Sequence, residues 1–379
     1  MNMAIHLPDP HLEVIICRNA DSEWKDYVGS LEATGFPIPV SATPSFPVDA
    51  GSERWLIGLR DADGKVVWAS IAESSRSRIV PWRRIIRFLR FGPGLPPGLR
   101  DAAMDSLVHF ATTQRALRMH VAMYEPDDGK RHTLVQGLAR RGFRPESNPR
   151  SYAKTVLIDL RLNEESILAS FHTKTRRDIR ALGKAGLICR EISDAGLSAR
   201  MNVLLGISMG RTGGHFHAMH WAEVITFIAQ EPRRAVLIGV FRPDIDGPLS
   251  LVGYVLGYRH GDTVQYGVAA CARLTDVRAP LLYAPTWELM RWGKRNGGDW
   301  FDFGGVTSGT RASGDPAGGI SEFKRYFRSE ITPVGEEMVY SASPRLNRLA
   351  RSVSAAASFL RDRERRSSDL ATPSRQGDE

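Results

Sequence analysis

The chain has 379 residues and a mass of 42.0 kDa, which is too long for one compact core and predicts two or three domains. Its 42% hydrophobic and 25% charged residues are typical of a globular protein, and no stretch approaches the roughly 18 uninterrupted apolar residues of a membrane span. The three widely spaced cysteines argue against a disulfide framework and a four-ligand zinc site. The net charge of +9 favours a polyanionic partner: RNA, a phosphorylated small molecule or an anionic membrane. We expect a cytoplasmic protein.

The first half of the chain predicts a mixed α/β pattern. An amphipathic helix capped by Asp21 or Ser22 comes first, and a hairpin of residues 54–60 and 65–72 then encloses the turn Asp61–Gly64. A Pro- and Gly-rich loop follows at 92–98. The remaining elements are a helix at 101–117, a strand at 119–124 and a helix at 130–140 that ends near Gly142.

The same order of elements recurs in the second half. Strands are predicted at 235–241, 249–258 and 263–269, and an irregular loop, a helix at 279–296, a strand at 300–303 and a helix at 319–326 follow. Helices are predicted between the two copies at 164–171, 174–184, 197–209 and 221–230. The sequence therefore predicts a duplicated α/β (α+β) fold with a first domain at 1–150 and a second domain with a helical insertion at 151–340. The tail, 341–379, is predicted to hold a basic amphipathic helix at 346–366 and a disordered end.

Two basic clusters have both a binding and a structural interpretation. Six arginines between Arg76 and Arg90 alternate with apolar residues such as Trp82, which suits an anionic membrane or equally a half-buried strand or helix. Arg176, Arg180 and Lys184 share one helical face, which suits phosphate binding or an ordinary exposed surface.

Two other patterns are weak. His215, His217 and His220 have neither an H-E-x-x-H pattern nor an acidic pair nearby, so we predict no metal site. Ser208 lies in a Gly-x-Ser-x-Gly string, but the surrounding residues predict a helix, whereas a nucleophile elbow follows a strand.

The most distinctive string runs from Asp302-Phe303-Gly304-Gly305 through a small-residue loop to Phe323-Lys324. Paired glycines after a strand allow close approach of a ligand or of another backbone segment. Lys324, flanked by aromatic residues just inside the helix that follows, could neutralise a phosphate or a developing oxyanion. A lysine extending to solvent from an apolar helix is the structural alternative.

These motifs together resemble the FemAB family of peptidyl transferases, which consist of two acetyltransferase-like (GNAT-like) domains. The resemblance covers about residues 20–340. The motifs that carry it are Thr155-x-x-Ile158-Asp159-Leu160, Thr175-Arg176-Arg177-x-Ile179-Arg180, Asp302-Phe303-Gly304-Gly305 and Phe323-Lys324-x-x-Phe327.

The resemblance implies transfer of an amino acid from aminoacyl-tRNA to an amine of a peptidoglycan-type precursor, without a cofactor. It implies that Lys324 and Phe323 are the catalytic lysine and its aromatic neighbour, and that Arg211 binds a precursor phosphate. Arg176, Arg180, Asp302, Gly304 and Gly305 are the other candidate substrate-binding residues. Arg328 stands where the family usually has glycine, and no heptad run predicts the coiled-coil arm of some members.

Two alternatives stay open. An acyl-CoA-dependent N-acyltransferase could use the same scaffold, although residues 271–280 contain no glycine for a pyrophosphate-binding loop. The second alternative is a non-catalytic accessory protein of envelope-polymer synthesis. The sequence leaves the oligomeric state open.

Overall fold

The computed structural model describes residues 11–48, 51–212, 216–347, 349–350 and 352. Its strands are β1 Glu13–Arg18, β2 Ser52–Arg60, β3 Val66–Arg76, β4 Arg84–Phe91, β5 Ala116–Met123, β6 Arg144–Pro145, β7 Lys154–Thr155, β8 Leu157–Asp159, β9 Ile188–Glu191, β10 Ala235–Phe241, β11 Leu251–His260, β12 Thr263–Cys271, β13 Trp300–Asp302, β14 Thr332–Pro333 and β15 Glu337–Tyr340. Its α-helices are α1 Glu23–Ala33, α2 Arg100–Thr113, α3 Asp128–Arg140, α4 Glu164–Ser170, α5 Thr173–Lys184, α6 Ser198–Thr212, α7 Trp221–Gln230, α8 Tyr283–Arg295 and α9 Gly318–Arg325.

The fold contains two large β-sheets with matching strand topology. The first has the order β1-β2-β3-β4-β5-β15-β6, and the second has the order β9-β10-β11-β12-β13-β8. In each sheet the fourth and fifth strands are parallel, and the other neighbours among the six matched strands are antiparallel. A helix, α2 or α8, makes each parallel connection. The duplicated mixed α/β topology predicted from the sequence is therefore present.

The two halves exchange strands. β8 follows the elements of the first sheet along the chain but pairs with β13 in the second sheet. β15 follows the elements of the second sheet but pairs with β5 and β6 in the first. The two crossing segments pair with each other through β7 and β14. The predicted division at residue 340 thus needs correction at β15, which belongs spatially to the first sheet.

Helices cover both faces of each sheet. One core of the first sheet includes residues of α2 and α3, and another joins α1 to β2 and β3. In the second half, one core includes residues of α4 and α8, and another includes residues of α6 and α7. Because both faces of the central strands are buried, strands such as β10 are apolar at every position.

The structure corrects several predicted boundaries. The helix predicted at 101–117 ends at Thr113, and Ala116 already belongs to β5, because Arg115 adopts a left-handed conformation with φ of 51°. The predicted helical insertion contains the short strand β9, in which three of four residues are exposed and apolar and polar residues do not alternate. The predicted cap at Ser22 makes no side-chain cap hydrogen bond, and Asp21 instead accepts from the Arg18 amide.

The longest helix in the described ranges, α6, has 15 residues, so these ranges contain no coiled-coil arm. Within them, no helix combines the length and apolar character required to cross a bilayer. Most of the basic helix predicted at 346–366, and all of the predicted disordered end, lie outside the described residues.

Glu337, the first residue of β15, anchors the second crossing segment where it enters the first sheet. One of its carboxylate oxygens accepts from the backbone amides of Arg150 and Ser151 at 2.8 and 2.9 Å, and from the Ser151 hydroxyl at 3.0 Å. The other oxygen lies 3.0 Å from Nδ1 of His120 on β5. Burial alone would raise the pKa of Glu337, but these hydrogen bonds lower it overall. The ionised carboxylate therefore fastens both crossing segments to the first sheet.

We expect Glu337→Gln to destabilise the protein by about 1–3 kcal/mol, because a neutral amide leaves buried donors poorly satisfied. Since folding lowers the pKa of Glu337 below its ordinary value of 4.5, its contribution is complete above that pH and is lost as the pH falls through the folded-state pKa. Urea unfolding at several pH values measures both effects. The exposed neighbour Glu336, substituted by Gln, is the matched control, and equal stability of the two variants would contradict the anchoring role.

Candidate functional site

A cleft opens where two parallel strands of the second sheet separate. β12 and β13 pair only over Thr263–Gln265 and Trp300–Asp302. β12 then continues along β11 to Cys271, while the chain after β13 turns away at Gly304, whose φ is 68°. The resulting cleft has a volume of about 830 Å³. Its walls are the loop after β12, the start of α8, residues 310–312 and one face of α9.

The cleft is rich in positive charge. Its cationic lining residues are Lys174, Arg211, Arg273 and Arg311. Arg211, at the end of α6, donates to the Cys271 carbonyl at 2.9 Å and to the Ser208 hydroxyl at 3.0 Å, so its guanidinium is held at the cleft wall. Glu322 is the carboxylate among the lining residues. The excess of cations favours an anionic ligand.

Phe323 and Lys324 lie side by side on α9 but face different surroundings. The Phe323 ring lines the cleft and packs edge-on against Tyr283, with 4.8 Å between ring centroids. Lys324 points into the protein, where its side chain is only 6% exposed and Nζ donates to the Gly305 carbonyl at 2.7 Å. The Tyr266 ring centroid lies 6.0 Å from Nζ. The structure thus rules out the alternative of a lysine that extends to solvent.

Burial lowers the pKa of Lys324 to about 8, and the negative charge of Asp302 acts in the opposite direction. The ammonium form still predominates at neutral pH, but deprotonation takes much less free energy than for an exposed lysine. A buried cation with few hydrogen-bond partners and a pKa near 8 is suited to stabilising a charge that develops on a bound molecule.

Asp302, at the end of β13, is a completely buried carboxylate that joins the two halves of the molecule. It accepts hydrogen bonds from the Tyr152 hydroxyl at 2.6 Å, from the Gly304 amide at 2.7 Å and from the Thr155 hydroxyl. Tyr152 and Thr155 belong to the segment that crosses between the sheets. Both oxygens of the Asp302 carboxylate thus accept hydrogen bonds from the protein. Asp302 therefore acts as a structural anchor for the turn that presents the Gly305 carbonyl to Lys324.

The two glycines after β13 have separate structural reasons. Gly304 adopts a left-handed conformation that other residues rarely take. A Cβ on Gly305 would lie 2.9 Å from the Cβ of Tyr152, so only glycine permits the close approach of the crossing segment. From the sequence, either a ligand or another backbone segment could approach these glycines closely. In the structure, the crossing segment at Tyr152 makes the close approach to Gly305.

A second cavity, which we call the interdomain cavity, lies between the two sheets. Two lobes, of about 680 and 360 Å³, share the lining residues Pro39, Arg90, Tyr124 and His260. The Arg90 guanidinium stacks over the Tyr124 ring at 3.6 Å from its centroid, and Nη1 is 3.9 Å from the Asp302 carboxylate. That buried Nη1 has no hydrogen-bond partner among the described residues. Burial and the nearby charge of Arg90 lower the pKa of His260 well below its ordinary value, so this imidazole is neutral.

The predicted site residues fall into three groups. Arg211 and Phe323 line the basic cleft, and Lys324, Asp302, Gly304 and Gly305 form one cluster behind it. Arg176 and Arg180 line neither cavity: Arg176 donates to the Ala169 carbonyl, and Arg180 to the Arg176 carbonyl. Lys174, two residues before Arg176 on the same helix, is the residue that reaches the cleft.

Several site residues were missed by sequence reasoning. From the sequence, Arg90 belongs to an arginine cluster that suits either an anionic membrane or a half-buried strand or helix. The structure places it in the half-buried strand β4, where its side chain is only 10% exposed and faces the interdomain cavity. Tyr124, Tyr152 and His260 carried no motif, because they meet only through the packing of the two sheets.

Among the described residues, no group of three potential ligands is placed to hold a metal ion. His215 lies outside these residues. Ser208 lies within α6, as predicted, so it is not at a nucleophile elbow.

Two solved structures share this fold. FemX aligns with a TM-score of 0.64 at 16% sequence identity over 79% of this chain and 90% of FemX. L-PGS from Bacillus licheniformis aligns with a TM-score of 0.51 at 14% identity over 86% of this chain and 95% of that protein. No protein-family model and no curated protein matches the sequence. The chain thus has the tandem GNAT-like fold of FemX, which confirms the fold inferred from the motifs.

The environment of Lys324 predicts a distinctive titration. In NMR spectra of protein with isotopically labelled lysine, one ε-carbon resonance should titrate with a pKa of about 8 and should be missing in Lys324→Arg. Asp302→Asn should lower this pKa further, because it removes the carboxylate that favours the ammonium form. A Lys324 resonance that titrates near the ordinary lysine value of about 10.4 would contradict the buried environment.

Proposed function

We propose that this protein is an amide-forming aminoacyltransferase that moves an amino acid from aminoacyl-tRNA to an amine of a cell-envelope precursor. The observation that carries the proposal is the position of Lys324, a buried cation behind a basic cleft in a chain with the FemX fold. Lys324 and Phe323 also belong to one of the motifs that resemble the FemAB family.

The basic cleft is the proposed donor site. Its cations can neutralise the phosphates of a tRNA 3′ end, and Phe323 and Tyr326 offer aromatic faces for a terminal base. Arg211 would contact the donor here, rather than the precursor phosphate that the resemblance implied. The glycine-free loop at 271–280 lacks the backbone flexibility of a pyrophosphate-binding loop, which favours tRNA over CoA.

The interdomain cavity is the proposed acceptor site. Arg90 presents a buried guanidinium whose Nη1 lies 3.9 Å from the Asp302 carboxylate but makes no hydrogen bond, so it can still donate to an anionic group of the acceptor. Lys130 and Arg328 also line the larger lobe, together with Glu125, Asp127, Asp262 and Glu330. This mixture of signs suits an acceptor that carries both an amine and acidic groups.

The reaction needs alignment more than a strong base. The acceptor amine attacks the ester carbonyl carbon of the aminoacyl-tRNA, and a C–N bond forms as a tetrahedral oxyanion develops. The Lys324 ammonium stabilises this oxyanion. The C–O ester bond then breaks, and the ribose hydroxyl of the tRNA leaves with the proton that the amine loses. An electrostatic contribution of this kind is worth about two to three orders of magnitude in rate.

Lys324→Met tests the catalytic assignment. We expect kcat to fall by about 10²–10³-fold, while binding of the tRNA to the cleft stays within about twofold because Phe323 and the cleft arginines are unchanged. Lys324→Arg, which keeps the charge, should retain more activity than Lys324→Met. Undiminished turnover by Lys324→Met with an active donor and acceptor would refute the role of Lys324.

The donor itself is tested by supplying labelled aminoacyl-tRNA or labelled acyl-CoA with a panel of amines. Transfer from aminoacyl-tRNA is expected, and transfer from acyl-CoA alone would establish the N-acyltransferase alternative. Absence of transfer from either donor would favour an accessory protein.

The double variant Arg273→Gln/Arg311→Gln tests the donor cleft. It should raise KM for aminoacyl-tRNA by about tenfold and weaken its salt dependence, because two phosphate contacts are lost, while KM for the acceptor stays unchanged. Arg140→Gln/Arg295→Gln removes the same charge from exposed positions outside both cavities and is the matched control. Equal effects of the two double variants would show that the cleft arginines act only through net charge.

A further inference from the structure

The connection between β3 and β4, residues 77–83, carries apolar side chains that face solvent. Trp82 is 68% exposed and Ile79 is 40% exposed. Val80 between them points inward and packs with Leu117 and Ala350. We call residues 77–83 the β3–β4 tip.

The tip is rigidly built, so the exposure of Trp82 is a property of its fold. The Ser77 hydroxyl accepts from the amides of Ile79 and Val80 at 3.3 and 3.1 Å. The amide of Ser77 donates to the Arg83 carbonyl at 2.8 Å, and the amide of Arg83 donates to the Val80 carbonyl at 2.9 Å. These bonds and the buried Val80 hold Ile79 and Trp82 away from the core.

A group of arginines surrounds this apolar tip. Arg76 and Arg84 face each other across β3 and β4, and the Arg84 amide approaches the Arg115 carbonyl. A small cavity is lined jointly by Arg76, Trp82, Arg84 and Arg115. Arg84 is paired with Glu53 at 2.9 Å. Within the described ranges, Arg76, Arg78, Arg83 and Arg115 form no ion pair, so their charge is available to an external anion.

The tip lies at the far end of β4 from the interdomain cavity, the proposed acceptor site. β4 begins at Arg84 beside the tip and reaches the interdomain cavity at Arg90, six residues later. At about 3.3 Å per residue this is about 20 Å. A partner seated on the tip therefore leaves the cavity at the other end of the strand accessible.

We infer that the β3–β4 tip, with Arg76 and Arg115, is a docking surface for an anionic lipid bilayer. Tryptophan is favoured at the boundary between lipid headgroups and acyl chains, and unpaired arginines are attracted to anionic headgroups. Nucleic acid would also attract the arginines, but it gives no reason for an aliphatic side chain such as Ile79 to be held in solvent. The apolar and cationic groups together therefore favour a membrane. The inference is independent of the proposed reaction.

Flotation of the full-length protein with vesicles tests this surface. Binding should be at least about tenfold stronger to phosphatidylcholine vesicles containing about 30 mol% phosphatidylglycerol than to pure phosphatidylcholine vesicles, and should weaken with salt. Ile79→Ser/Trp82→Ser should reduce binding by about tenfold, because the apolar contacts are lost. Arg78→Gln/Arg115→Gln should reduce it by about tenfold or more and flatten the salt dependence.

Two controls separate the tip from general properties of the protein. Leu249→Ser removes another strongly exposed apolar side chain, and Arg140→Gln/Arg295→Gln removes two charges elsewhere; both should bind vesicles within about twofold of the parent protein. Thermal unfolding confirms that each variant is folded. Unchanged vesicle binding by both tip variants would overturn the inference. Loss of binding to unfractionated tRNA without loss of vesicle binding would assign the tip to RNA instead.

Discussion

The crossing of two chain segments between the sheets is the constraint on which the rest of this structure depends. β8 and β15 each complete the sheet of the other half, and β7 pairs with β14 where the segments pass. Neither sheet is complete without chain from the opposite side. The crossing consequently holds the two halves in one relative arrangement, and the interdomain cavity lies between surfaces that cannot separate freely. Buried carboxylates fasten the crossing at two points, Glu337 on the first sheet and Asp302 on the second.

Asp302 links this crossing to the candidate chemistry. Its hydrogen bonds to Tyr152 and Thr155 hold the crossing segment, and its bond to the Gly304 amide holds the turn after β13. That turn directs the Gly305 carbonyl at Lys324. An isolated buried ammonium would be costly, and here one hydrogen bond and the charge of Asp302 offset part of the desolvation. The same network that joins the halves therefore sets the position and the protonation of the lysine.

The large positive charge of the chain has no single location. Part of it lines the cleft beside α9, part is buried at Arg90 between the sheets, and part surrounds the β3–β4 tip. One arginine-rich stretch of sequence contributes to two of these places, because β4 runs from the surface at Arg84 to the interior at Arg90. Net charge thus indicates an anionic partner but cannot distinguish a substrate from a membrane, since each surface binds anions through different neighbouring groups.

The sequence by itself determined the duplicated α/β order, most helices and strands, and the identity of Lys324, Phe323 and Asp302 as members of one motif. These features depend on local periodicity, turn residues and short spacings, which are properties of neighbouring residues. Only the tertiary structure decided that β15 joins the first sheet, that Arg90, Tyr124 and His260 share a cavity, and that Lys174 reaches the cleft while Arg176 and Arg180 do not. Those outcomes depend on contacts between residues more than a hundred positions apart, or on the direction in which one helix face packs, and neither leaves a local pattern in the chain.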